Sequence, residues 1–166
     1  IRHLTAQGHR RIGFMANGHK EHPHERRTHA FLTAMKKAGL PVDERSVIMG
    51  DGRTEQAQEK MREYLDAGRP GDHSAFIAAC DLMAVGMLAA CREAGVSVPE
   101  QLSIAGCENV LMSRQTTPAL TVLDYPRPEI AERAVELMVQ CLKGERASDC
   151  RMEASLIARG SSGRMT

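Results

Sequence analysis

The sequence has no tryptophan, and its few rings, three Phe and two Tyr, make up only 3% of the chain. Stacking faces for bases or sugars are therefore scarce. Long apolar runs are missing as well. Nothing approaches the roughly 20 residues of a membrane-spanning helix, and no basic-then-apolar leader opens the chain. A soluble chain with no membrane partner is expected. Charge of one sign is not in excess either, since 22 Lys and Arg face 21 Asp and Glu, for a formal net charge of +1 and a pI near 7.9. That balance argues against a nucleic-acid surface built from this segment. GxGxxG, GxxxxGK[ST] and GxSxG are all absent, so nucleotide-binding and α/β-hydrolase classes lack their usual marks. The five cysteines (Cys80, Cys91, Cys107, Cys141 and Cys150) are odd in number and form neither a CxxC pair nor a zinc-ribbon spacing. Free thiols in a reducing cytoplasm are expected.

What is present is a length of 166 residues, 42% of them hydrophobic, enough for one sizeable core. With 10 Met and few rings, that core should be aliphatic and Met-filled. The chain opens IRHLTAQGHRR, with no initiator Met, on what has the pattern of the last turns of a helix. We therefore expect a piece of a longer protein.

Five short apolar runs punctuate the sequence: IGFMA (12–16), SVIMG (46–50), SAFIAA (74–79), LSIAG (102–106) and ALTVLDY (119–125). Their hydrophobicity is continuous rather than alternating, which suits strands covered on both faces. Between them lie helical patterns. The first, about 24–38, places Phe31, Met35 and Ala38 on one face and stops at Gly39. The second, about 54–67, uses Ala57, Met61, Tyr64 and Leu65 and stops at Gly68. The third opens with Asp81 as its expected N-cap, is apolar nearly all round, and should be the most buried. First-to-first strand spacings of 34, 28, 28 and 17 residues are those of βα units. The expected fold class is α/β, a doubly wound parallel sheet flanked by helices. After Tyr125 comes a long amphipathic helix from about Glu129 to Leu142, with Ile130, Ala134, Leu137, Met138 and Cys141 inward, and then a last apolar run, ASLIARG.

In open α/β sheets, ligands bind beyond the carboxyl ends of the strands, where loops converge and helix N-termini point outward. The segments after the runs are NGHKEHPHERR, GDGR, the turn at Cys80-Asp81, and GCEN. They bring Arg27, Asp51, Arg53, Asp81, Glu108 and Asn109 toward one edge. Arg is a rigid fork of donors and Glu a pure acceptor, so the two across a cleft can hold a small hydroxylated or carboxylated ligand. Asp51 and Arg53 also suit a plain turn, and Glu108 also suits a cap for a short helix after it. Four of the seven histidines (His19, His22, His24 and His29) crowd the first segment. No helical HxxxH or Cys-Cys-His-His spacing accompanies them, so they are expected to be exposed loop residues, with no metal and no cofactor. Cys80 and Cys107 follow neighbouring runs. A Cys nucleophile with a loop histidine would make an enzyme, but buried inert Cys is the commoner case.

Five blocks carry a specific resemblance: GHRRIGFM, ERRTHAF, CDLMAVGML, VSVPEQLSIAGCEN and TPALTVL. In order and spacing they resemble the lactose-repressor/galactose-repressor (LacI/GalR) family of bacterial transcription regulators over about 1–160. The resemblance implies a type I periplasmic-binding-protein-like lobe, in a cytoplasmic repressor that binds a small effector, often a sugar, between two lobes. Residues 1–125 would be the C-terminal lobe, 126–150 a helix returning to the N-terminal lobe, and 151–166 the closing strand of the C-terminal lobe and the tail. The helix-turn-helix through which such a homodimer grips operator DNA is not in this chain. Position by position, Arg27 matches an arginine that holds ligand oxygens, and Glu108 matches an acidic ligand position that is usually Asp. Cys80 stands where Asn often faces ligand, Gly52 where several relatives carry an aromatic platform, and Tyr125 where Gln is common. Pro23 and Glu21 fall on loop positions used for ligand selection. The rival readings are a periplasmic sugar-binding protein of the same architecture, which the cysteines disfavour, and the Cys/His enzyme.

Overall fold

Continuous apolar runs bury both faces of a strand, and in the computed structural model all five become parallel strands. The structure describes residues 1–18, 22–67 and 73–165, with the side chains of 22–24 excepted. The order is α1 (Arg2–Ala6), β1 (Ile12–Asn17), α2 (His22–Lys37), β2 (Val47–Gly50), α3 (Thr54–Asp66), β3 (Ala75–Ala78), α4 (Asp81–Glu93), β4 (Ser103–Cys107), α5 (Leu111–Gln115), β5 (Thr121–Asp124), α6 (Arg127–Leu142) and β6 (Ser155–Ile157). The strands form one sheet in the order β2-β1-β3-β4-β5-β6. All neighbours are parallel except β5 and β6, which pair antiparallel with Val122 opposite Ile157. This is the expected doubly wound α/β fold. With right-handed crossovers the reversal of strand order at β1 puts α2 on one face of the sheet and α3 and α4 on the other.

The core is Met-filled. Met15, Met35, Met61, Met83 and Met87 are all fully buried, and their flexible thioethers fill gaps that rings would otherwise occupy. The few aromatics concentrate around them. Phe14 and Phe31 stack with centroids 4.9 Å apart, and Tyr64 meets Phe76 edge-on at 5.0 Å. A Cβ on Gly13 would collide with the Phe76 ring, so the glycine makes room for it. In α2, Phe31 and Met35 face the core as expected, whereas Ala38 is exposed because the helix has already ended. Gly39 (φ +66°) ends it in the left-handed conformation, and the Leu40 N–H bonds back to the Met35 carbonyl at 3.0 Å. Gly68, the expected stop of α3, lies outside the described residues.

The helix α4 is the most buried, as its all-round apolarity implies, with eight buried residues. It packs onto α3 at backbone distance. A Cβ on Gly86 would collide with the Thr54 carbonyl oxygen and lie 2.9 Å from the Gln58 nitrogen. The expected inward face of α6 is a correction. None of its residues is buried, and Ile130, Val135, Met138, Val139 and Leu142 are all exposed. The apolar stripe is there, but no described element lies over it. No helix among the described residues is long and apolar enough to cross a membrane.

The chain ends are tied together at the amino edge of the sheet. His9 bonds Ser74 Oγ through Nδ1 at 2.8 Å and donates from Nε2 to the Gly163 carbonyl at 3.0 Å, and His3 Nε2 meets Ser162 Oγ at 2.8 Å. On the β2 side, His73 lies between Ser46 Oγ and the Tyr64 hydroxyl, at 3.2 Å and 2.8 Å. Burial lowers the pKa of all three histidines below the ordinary 6.5.

Two outcomes follow. Gly86→Val is expected to cost about 3 kcal/mol by overpacking at α3–α4, read as a lowered midpoint in denaturant unfolding. For the histidines, the unfolded chain takes up protons near pH 6.5 while the folded chain resists until lower pH. Their contribution is complete above 6.5 and is lost as pH falls through the depressed folded values. Thermal midpoints should therefore drop between about pH 7.5 and pH 5.5, and His9→Gln should flatten that drop.

Candidate functional site

The parallel strands all end at one edge, and the residues just beyond them form a polar cluster. Arg27, in the second turn of α2, donates from Nη1 to the Ala79 carbonyl at 2.7 Å, which anchors the guanidinium just past β3. The same nitrogen lies 3.5 Å from Glu108 Oε1, directly after β4, and both side chains are about one-third exposed. An ion pair this open to water contributes about 1 kcal/mol or less. It is therefore cheaply exchanged for a ligand that offers both an acceptor and a donor. Burial pushes the Glu108 carboxyl above its ordinary value, Arg27 pulls it back, and the neighbouring Asp81 adds to the rise.

Next to this pair, the Tyr125 hydroxyl just beyond β5 sits 2.8 Å from Cys107 Sγ, the last residue of β4. Burial raises the pKa of both groups, and their contact raises Tyr125 further. Cys80, between β3 and α4, points the other way, with Sγ donating to the Gly52 carbonyl at 3.6 Å. The two thiols thus take separate partners and both are free. Burial raises the Cys80 thiol too, so neither cysteine is disposed to form a thiolate.

At Gly52 the backbone is left-handed (φ +87°), and a Cβ would lie 2.7 Å from Asn17 Nδ2. The amide of Asn17, from the end of β1, packs against this turn. The tight turn there uses Asp51, whose Oδ1 accepts from the Arg53 N–H at 2.9 Å. Asp51 and Arg53 are turn residues in this structure. Pro23 lies in the first turn of α2, its side chain outside the described residues, as Glu21 and His19 are altogether. Of the loop histidines whose side chains are described, His29 is exposed on α2. Among the described residues no three His, Cys, Asp or Glu come together as a metal site.

Two capping expectations are corrected. Asp81 is not the N-cap of α4: Cys80 holds that place, and Asp81 is the first helical residue, fully buried. Its carboxylate still sits at the positive end of the helix, but it reaches across to β4. Oδ2 accepts from the Val110 N–H at 2.9 Å, while Oδ1 faces Gly106, has no partner among the described residues, and occupies the space a Cβ there would need. Glu108 does not cap α5 either, because Val110 is its N-cap. Instead Glu108 (φ 139°) and Asn109 (φ 57°) form a strained reversal that turns Glu108 toward Arg27.

Sequence reasoning missed the support beneath that reversal. Asn109 is buried, and its Oδ1 accepts from Arg159 Nη2 at 2.7 Å and from Arg114 Nε at 3.4 Å. Arg159 also donates from Nη1 to the Leu120 carbonyl at 2.7 Å and to Ser113 Oγ at 3.4 Å. Arg159 lies 51 residues after Glu108, so no local pattern links them. The available signal was a lone Arg just after an apolar strand run.

Over residues 1–162 the chain matches the model of the periplasmic binding protein-like domain family. It is 32% identical over 163 residues to the HTH-type transcriptional repressor CytR of Escherichia coli K12, covering 97% of this chain and 47% of that protein. It is 33% identical over 136 residues to the HTH-type transcriptional regulator GalR of the same organism, covering 82% of this chain and 39% of that protein. The chain therefore spans about half or less of the curated relatives it matches. Among solved structures it is similar to a regulatory protein of the LacI family from Chloroflexus aggregans, at 30% identity and a TM-score of 0.88 over 97% of this chain and 58% of that one. It is also similar to the transcriptional regulator CelR in complex with cellobiose, at 29% identity and a TM-score of 0.86 over 97% of this chain and 49% of that one.

The raised thiols make a direct expectation. At about pH 7.5 an alkylating reagent such as iodoacetamide should label the exposed Cys141 and Cys150 well before Cys80 and Cys107. Peptide mass spectrometry reads the order, and fast labelling of Cys80 would revive the enzyme hypothesis.

Proposed function

The chain belongs to the family of periplasmic binding protein-like domains, in the branch of the LacI-type regulators, and on that premise we propose that it is the effector-binding part of a bacterial transcriptional repressor. The effector is a small polar metabolite, a sugar or sugar derivative, held at the carboxyl edge of the sheet. The observation that carries this reading is the Arg27–Glu108 pair. A guanidinium already anchored on Ala79 faces a carboxyl across an open edge, so ligand oxygens can bond Arg27 while ligand hydroxyls or ring N–H groups donate to Glu108. Cys80, Gly52, Tyr125 and Pro23 shape the rest of the pocket.

Residues 1–125 form the C-terminal lobe in this reading, and 151–166 supply its closing strand and tail. The uncovered apolar stripe of α6 supports the assignment of residues 126–150 to the N-terminal lobe, since Ile130, Met138 and Leu142 need a partner. Effector bound between the lobes favours one lobe orientation, which a homodimer passes to its DNA-binding heads on operator DNA in the cytoplasm. Such coupling requires contacts that differ between the two states. Catalysis has no part in this reading: the relatives are regulators, and burial raises both edge thiols, Cys107 buried and Cys80 half-buried.

Isothermal titration of the full-length protein with sugars, sugar acids and nucleosides tests the pocket. At least one should bind, and Arg27→Ala should weaken it at least tenfold, which is about 1.4 kcal/mol or more. Unchanged affinity in Arg27→Ala would remove that residue from the account.

A further inference from the structure

We propose that Arg159 is a positioning residue for Glu108: by clamping Asn109 to the start of β5, it fixes the backbone reversal that aims the Glu108 carboxyl at Arg27. Its significance rests on the effector reading of the Arg27–Glu108 pair, although the geometry stands apart from any ligand. Glu108 and Asn109 both have positive φ, at 139° and 57°. Two such residues in succession persist only where the surroundings hold them. Distant parts of the chain supply three of the holds. The Glu108 N–H bonds the Leu123 carbonyl at 2.9 Å, the Val110 N–H bonds buried Asp81 Oδ2 at 2.9 Å, and Arg159 Nη2 bonds Asn109 Oδ1 at 2.7 Å.

The first two act on the backbone on either side of Asn109. Only the side-chain bonds reach the residue between them, and of its two donors Arg159 is the closer by 0.7 Å, at 2.7 Å against 3.4 Å for Arg114. The other guanidinium nitrogen bonds the Leu120 carbonyl at 2.7 Å. The planar fork thus ties the reversal after β4 to the residue before β5, which a point-charge ammonium cannot reproduce. Arg159 comes from the segment after β6, which bonds Thr121 through the Arg159 N–H at 2.9 Å. The set of the carboxyl therefore depends on a stretch of chain that hydrogen-bonds neither Arg27 nor Glu108 among the described residues.

The test is the titration of Glu108 in the full chain, followed by NMR with carboxyl-labelled glutamate and assigned with Glu108→Gln. Arg27, Cys80, Asp81, Cys107, Tyr125 and Arg127 surround this carboxyl and stay unchanged throughout. In Arg159→Met the released turn exposes Glu108, and its midpoint should fall toward the ordinary value, since burial is the largest cause of its rise. Arg159→Lys should recover only part of the shift. Asn109→Gly keeps a residue suited to the left-handed turn but removes the acceptor, and should reproduce the fall, while Asn109→Asp keeps the acceptor, adds a negative neighbour and should show no fall. The double variant Arg159→Met/Asn109→Gly should move no further than either single one. Ser162→Ala loosens the same tail without touching Asn109 and should leave the midpoint in place. An unmoved midpoint in folded Arg159→Met, or an equal fall in Ser162→Ala, overturns the proposal. If Arg159→Met does not fold, Asn109→Gly decides in the same way. Because no ligand enters, failure of every sugar or nucleoside to bind would count against the effector reading and leave this result intact.

Discussion

The carboxyl edge of the sheet depends on a backbone reversal that L-residues do not adopt freely. Where β4 ends, Glu108 and Asn109 both take positive φ, at a cost of about 1–3 kcal/mol each. That cost is borne because three distant parts of the chain converge there: Asp81 from the start of α4, Arg159 from beyond β6, and the Leu123 carbonyl of β5. The reversal does two things at once. It presents the Glu108 carboxyl to Arg27, and it sends the chain back through α5 so that β5 can join the sheet in parallel register, Ala105 opposite Thr121.

Asp81 shows how structural and chemical roles merge at such an edge. A carboxylate with no exposure and one oxygen without a partner among the described residues is expensive to bury. Its place at the first turn of a helix offsets part of that cost, and Gly106 leaves the room it needs. From there Asp81 also raises the proton affinity of Glu108. A group whose clear task is to hold the Val110 N–H thus tunes the acidity of a candidate ligand residue. Burial raises the Glu108 carboxyl most, and around that effect Arg27 pulls it down while Asp81 pushes it up.

Much of this was legible in the residues. All five continuous apolar runs became parallel strands, because a run without alternation can be satisfied only between two layers. The glycine stop at Gly39 was legible for a related reason, since it takes the left-handed φ, +66°, that ends a helix. Arg27 and Glu108 could be placed at one edge from topology alone, because parallel strands end together. The misplaced residues share a cause. Asp81 has the composition of an N-cap, yet tertiary contact drew it to Val110. The stripe on α6 has the spacing of a core face, yet spacing tells which residues share a face and says nothing of what covers it. Arg159 was invisible because its partners lie 50 and 39 residues away.

Local chemistry by itself therefore determined the element types, the layered α/β plan and the family, since hydrophobic period, turn residues and motif blocks are properties of neighbouring positions. Only the tertiary structure decided which polar groups meet: that Tyr125 binds Cys107, that Asn17 crowds Gly52, that Glu108 faces Arg27 at 3.5 Å with Arg159 beneath its turn. The reason is physical. Burial of apolar surface is nondirectional and follows pattern, whereas a hydrogen bond requires a particular donor within about 3 Å of a particular acceptor, and only the folded chain sets that distance.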